Sequence, residues 1–248
     1  MATAAPSIAA VTRTRPANPP SDRVFFGLMV LALWATVLFG FSRTYYAAGM
    51  IHAPLPDRLI HVHAILMTLW MVLLFVQVAL VTARKVVWHR ALGAYGFLLA
   101  LAMVIVGPIA ATDSMRRGVA PQGLDPLTFY IVPITAILLF ATFVFFAWRA
   151  RRRPAAHKRL IMLANIEIIG AAVGRWQLHL FQAHPPAQNL VPLAFILAIV
   201  AYDLVSQRKV QKATLWGGLL LMVVNLVRVP IGLTAPWHAF ATLMLGKG

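Results

Sequence analysis

The chain contains no cysteine. That absence excludes disulfides, thiolate metal sites, iron–sulfur clusters and cysteine nucleophiles. Any metal or haem must then be held by His, Met, Glu, Asp or Tyr. Charge is also scarce: 11% of the 248 residues are charged, and only 6 are acidic. Glu167 is the sole glutamate. No lysine falls within an apolar run, so a retinal-type Schiff base has no candidate. H-E-x-x-H, G-x-S-x-G and phosphate-loop patterns are missing as well, which removes the common hydrolase and nucleotide-binding signatures.

What is present instead is apolar surface. Hydrophobic residues make up 61% of the chain, and the mean hydropathy is +0.80. A soluble domain of this size carries far more charge, so the composition reads as an all-α integral membrane protein. The formal charge of +16 is therefore not a nucleic-acid signal. The basic residues lie in short loops between apolar runs, where they set topology and meet anionic headgroups. The bilayer is the expected partner, and no nucleic acid is.

Seven apolar runs are expected to span, at 24–42, 59–81, 91–111, 127–148, 160–180, 190–206 and 214–233. Residues 1–22, rich in Ala, Thr and Pro, read as a disordered cytoplasmic tail. They are not a signal peptide, because the following run has the length of a span. Residues 23–248 form one membrane domain. Of the 22 basic residues, 15 lie before span one or in the loops between spans two and three, four and five, and six and seven. Only 5 lie in the other loops or at the C-terminus. This asymmetry places the N-terminus in the cytoplasm and the C-terminus outside, in a multi-pass protein of a bacterial inner membrane. The stretch 113–126, with Asp113, Gly118, Pro121, Gly123 and Pro126, is the longest loop, a cap or a lid on the outer side.

The run Leu59–Val81 is uncharged and 23 residues long, enough to cross a hydrocarbon core of ~30 Å. It still carries His61 and His63 near one end and Gln77 near the other. His63, Trp70 and Gln77 are spaced i, i+7, i+14 and share one helical face. His61 lies about 200° from His63, so both cannot point at one place from an ideal helix. A polar stripe on such a helix faces protein, water or a cofactor rather than lipid.

Span five is the least lipid-like, with Asn165, Glu167, Arg175, Gln177 and His179. A charged Glu167 facing lipid costs ~2.5–3.5 kcal/mol or more, so it must be paired, protonated or solvated. Gly170, Ala171 and Gly174 form a small-residue patch that permits close helix contact. Span seven adds Asn225 and Arg228. Arg175 and Arg228, at similar heights, invite snorkelling, a structural pair with Glu167 or Asp203, or an anion such as a quinone oxygen or a haem propionate. Six histidines, His52, His61, His63, His179, His184 and His238, fall toward the outer face. One reading makes His63 and His179 axial ligands of a b-type haem. Another gathers His61, His63, His179 and His238 around copper or zinc. The third has them hydrogen-bonding to headgroups, water or carbonyls. Pro236, Trp237 and His238 read as the start of a short interfacial helix. His89 and His157, each followed by basic residues, fall at the cytoplasmic end, where they meet headgroups or hold a second haem.

Several phrases occur together: His61-Val-His63-Ala, Trp70, Gln77, His89-Arg90-Ala-Leu-Gly93, His157-Lys158-Arg159-Leu160, Gly174-Arg175-Trp176 and Ala213-Thr214-Leu215-Trp216-Gly217-Gly218. Over roughly residues 24–245 the chain resembles a widespread family of bacterial seven-span inner-membrane proteins whose motifs carry no assigned activity. The family pattern often has a histidine where Lys212 stands here, a departure that bears against a cytoplasmic ligand at that point. The layout is also distantly similar to b-type membrane cytochromes, with histidines near helix ends; that is analogy. The two functional expectations are a redox or cofactor-handling protein with a His-lined outer site, served by a quinone or another membrane redox partner, and a proton-coupled transporter or sensor built on Asn165, Glu167, Arg175 and Arg228.

Overall fold

The computed structural model describes residues 20–48, 57–121 and 123–246. Among them every regular element is helical. Helices α1 (Pro20–Phe41), α2 (Arg58–Thr82), α3 (Val86–Arg116), α4 (Pro126–Arg149), α5 (Pro154–Ile168), α6 (Gly170–Val173), α7 (His179–Ala183), α8 (Leu190–Gln207), α9 (Lys212–Gly232) and α10 (Ala235–Met244) follow one another along the chain. A π turn, Ser42–Tyr46, follows α1, and a 3₁₀ turn, Pro185–Asn189, precedes α8. The expected tail over 1–22 lies outside the described residues except at its end, where α1 already begins at Pro20. His52 also lies outside them.

Six helical segments are long and apolar enough to cross a membrane: Ser21–Tyr46, Arg58–Thr82, Val86–Arg116, Pro126–Arg149, Pro185–Gln207 and Lys212–Gly232. The protein is thus a multi-pass helical membrane protein. Large apolar side chains such as Phe39, Leu69, Phe75, Leu98, Leu138 and Leu226 project outward, as lipid contact requires. The helix starts are encoded locally. Asp57 and Asp125 cap α2 and α4 by accepting the amides of Ile60 and Thr128, both at 2.9 Å.

The continuous helix expected over 160–180 is corrected. α5 stops at Ile168, the chain makes one further turn as α6, and regular structure ceases until His179. Fifteen residues give only about 22 Å of α-helix, short of a hydrocarbon core. The break falls at Ile169, just before Gly170, which has no side chain to support the helix, and a second glycine, Gly174, follows one turn on. Close packing fixes the broken end. A Cβ on Gly40 of α1 would lie 2.3 Å from the backbone oxygen of Ala172. The expected loop 113–126 is also shorter, because α3 continues to Arg116. Arg117 then bridges Asp57 at 3.0 Å and Asp113 at 2.9 Å, tying the end of α3 to the start of α2.

α5 sits in the middle, packed against α4, α8 and α9. α1, α2 and α3 complete the bundle, α1 against α2 and α6, and α3 between α2 and α4. The turn joining α2 to α3 is very short. Arg84 adopts a left-handed conformation (φ 61°) there, and the Lys85 amide returns to the Leu80 oxygen at 2.8 Å, a helix-ending pattern. This hairpin holds the first turn of α3 beside the last turns of α2.

Two glycines on α1 provide a paired test of the α1–α6 contact. A Cβ on Gly27 meets nothing within 4 Å, unlike one on Gly40. Gly40→Ala is expected to destabilise by about 1–3 kcal/mol through overpacking. Gly27→Ala should be neutral or gain up to about 1 kcal/mol from helix propensity. Thermal unfolding in detergent reads both; equal effects would contradict the close contact.

Candidate functional site

The polar residues of α5 are buried or half-buried, and each has found a partner. Glu167 accepts from Arg228 Nη1 at 3.1 Å and from Asn225 Nδ2 at 2.8 Å, both on α9. Asn165 accepts from the Trp70 indole at 3.0 Å and donates to the Ile161 oxygen at 2.8 Å. Arg159, fully buried, forms an ion pair with Asp203 of α8 and donates to the Ala155 oxygen at 2.7 Å. Asp203 also accepts from the Gln211 amide at 3.0 Å and the Thr214 hydroxyl at 2.8 Å. Lys158 pairs with Asp22, which also accepts from Tyr202. Buried charges need such matching, since removing one partner leaves an uncompensated ion. Of the two structural pairings open to Arg228, the one with Glu167 forms, and Asp203 takes Arg159 instead. Arg228 is therefore committed within the protein.

At the opposite end of the bundle the imidazoles are dispersed. His61 Nδ1 lies 3.3 Å from the Tyr45 hydroxyl. His238 Nε2 lies 2.9 Å from the Thr128 hydroxyl, on α4. Trp237 donates to the Leu127 oxygen at 2.8 Å, so α10 docks on α4 through both residues. Hydrogen bonds from Thr128 hold the exposed Asp125 carboxyl below the usual carboxylate range. Its contribution to this corner is present above the ordinary Asp range and is lost as pH falls through the lowered one. His63 is half-buried, with the charge of Arg175 in electrostatic reach. Arg175 donates to the Ala171 oxygen at 2.6 Å, and its guanidinium lies 4.4 Å from the centre of the Phe41 ring. Among the described residues it has no acidic partner. His179 opens α7 and is exposed. No direct contact joins it to His63 among those residues. Nor do three or more His, Asp or Glu side chains gather there as a metal site would require, so the set His61, His63, His179 and His238 is not assembled.

A closer convergence occurs at the end that carries the basic loops. His89, in the first turn of α3, and His157, in the first turn of α5, bring their rings to 6.4 Å between centroids at 86°. His157 Nδ1 lies 2.9 Å from the Ala147 oxygen. Gln77 of α2 reaches the same region, its Nε2 being 3.7 Å from where a Cβ on Gly93 would lie. Both polar atoms of the Gln77 side chain are buried without a hydrogen-bond partner, and the His89 ring has the Gln77 backbone within reach. Sequence reading placed Gln77 on the stripe of His63 but did not join it to His89. The signal was the length of the Ala83–Lys85 turn, which lets only a few residues separate the two helices.

No family model matches the chain, and no solved structure matches it. One curated relative is a phosphatidylglycerol–prolipoprotein diacylglyceryl transferase of Lactiplantibacillus plantarum, 30% identical over 80 residues. The match covers 32% of this chain and 28% of that enzyme, so the chain spans little more than a quarter of its length.

The Glu167–Arg228 pair makes a testable unit. Arg228→Met should cost about 3–5 kcal/mol by stranding a buried carboxylate. Adding Glu167→Gln should recover much of that loss, because the two changes are coupled. Unfolding of both variants in detergent measures it; simple additivity would show that the pair is not the operative contact.

Proposed function

We propose that the chain is a seven-crossing protein of the bacterial inner membrane, N-terminus in the cytoplasm, that binds an anionic redox cofactor near its outer face. α5, α6 and the segment to His179 together make the fifth crossing in this reading, and the family resemblance of the motifs fits that count. The cofactor is haem b, or copper in second place. His63 and His179 are its ligands, and Arg175 offsets a propionate or another anion. Arg228 serves indirectly, by holding Glu167 neutralised beneath the site. The observation that carries the reading is Arg175: an exposed guanidinium whose charge reaches the half-buried His63 ring, with no carboxylate to match it among the described residues. A cation left so in a membrane protein favours an anionic group. The role is one-electron transfer with a quinone or a comparable membrane partner.

The transporter or sensor reading would use Glu167, Arg228 and Asn225 as a polar path. Those groups already match one another's charge and hydrogen bonds, which is the arrangement of a clamp between α5 and α9, so this reading stands second.

Protein purified from cells replete in haem and copper provides the test, by absorption spectrum and elemental analysis. A Soret band or bound copper is expected, with part of it lost in the His63→Ala and His179→Ala variants. Cofactor content unchanged by both substitutions would overturn the outer site.

A further inference from the structure

We infer that the basic end of the bundle holds a cofactor site of its own: a b-type haem with His89 and His157 as its axial ligands and Gln77 beside it. This site stands independently of the outer one. Its first support is distance. With an imidazole–metal bond of about 2.0 Å and the ring centre about 1 Å behind the nitrogen, two imidazoles on opposite sides of one metal have centroids about 6 Å apart. The observed separation is 6.4 Å, with the ring planes at 86°.

The second support is the state of the rings. A carbonyl only accepts, so His157 Nδ1 must be the donor to the Ala147 oxygen. In the neutral ring the lone pair then lies on Nε2, the arrangement by which proteins orient a metal-binding histidine. The flanking residues hold this histidine in place. Lys158 and Arg159 are bound to Asp22 and Asp203, which locks the first turn of α5 while leaving His157 uncommitted on its Nε2 side.

The third support is the unmet polarity. Both polar atoms of the Gln77 side chain are buried without partners, while the His89 ring has the Gln77 backbone within reach. Leaving one such atom unpaired costs about 1–3 kcal/mol, and native proteins rarely tolerate several together. A bound polar group at this place would satisfy them.

The ligand count selects the class of cofactor. No group of three or more His, Asp or Glu exists among the described residues, so a bare ion seeking four protein ligands is under-coordinated here. A haem brings four nitrogens and needs only two. Its propionates also find their counter-charge. Lys85, Arg90, Arg149, Arg152 and Arg153 flank the two histidines in sequence, and none is paired with a carboxylate among the described residues. Gly93, one turn beyond His89, keeps that face of α3 free of a side chain.

The test uses the full chain, purified from haem-replete cells or reconstituted with haemin, and reads both optical and electron paramagnetic resonance spectra. A low-spin bis-imidazole spectrum is expected, with the strongly anisotropic ferric signal of near-perpendicular imidazole planes. His89→Ala and His157→Ala should each lose it, while His63→Ala and His179→Ala keep it. His157→Met covers the case where alanine variants fail to fold: it should retain haem and raise the midpoint potential, as a His/Met axial pair does. Gln77→Leu should retain haem and shift the potential. A haem signal indifferent to substitutions at 89 and 157 but lost with 63 or 179 would overturn this site and leave the outer one standing. Colourless protein after reconstitution, or a bound metal ion without a Soret band, would also overturn it.

Discussion

The bundle depends on keeping α5 away from lipid. That helix carries Arg159 in its first half and Asn165 and Glu167 near its end, and all three are buried. In hydrocarbon each would cost several kcal/mol. The neighbouring helices therefore supply partners at three levels: Asp203 from α8 at the basic end, Trp70 from α2 in the middle, and Asn225 with Arg228 from α9 toward the other end. Each partner sits on a helix that is otherwise apolar, so each contact fixes both the rotation and the height of its helix. Apolar contacts alone specify such details weakly, because lipid tails offer helices almost the same environment.

Small residues let these pairs form. On α9, a Cβ at Gly217 would come within 2.4 Å of Leu163, and one at Gly218 within 2.9 Å of Ile196. The phrase Ala213–Gly218 therefore brings α9 against α5 and α8, while Thr214 caps the Asp203 carboxylate. The phrase His157–Leu160 fastens the start of α5. Trp176, from Gly174-Arg175-Trp176, packs against Phe39 and stacks with Phe181. Most of the recurring phrases are thus explained by packing and ion pairing. The residues that packing does not explain are few: His63 and Arg175 at one end, Gln77, His89 and His157 at the other. Chemistry is to be sought among them.

The two ends differ in how far the residues have converged. At the basic end the rings of His89 and His157 meet edge-on with their centroids 6.4 Å apart, beside the unpartnered side-chain amide of Gln77. At the opposite end His61 and His238 are taken up by Tyr45 and Thr128, and His179 is exposed beyond a broken helix. The break itself has a physical origin in Gly170 and Gly174, which lend no helical support, and Gly40 of α1 permits the close approach to Ala172 beside it.

Composition and periodicity were enough to determine a helical membrane protein, because a run of about twenty apolar residues has no other stable fate in lipid. They also determined that Glu167 needs a partner and that the stripe of His63, Trp70 and Gln77 turns inward, since desolvation is a local property of each residue. Which partner Glu167 takes, where the fifth helix breaks, and which histidines meet were decided only by the tertiary structure. Those outcomes depend on helix heights and rotations, and these are set by contacts between residues far apart in the chain. His89 and His157 look like ordinary headgroup histidines in their own segments. A three-residue turn and a locked first turn of α5 are what place their rings side by side.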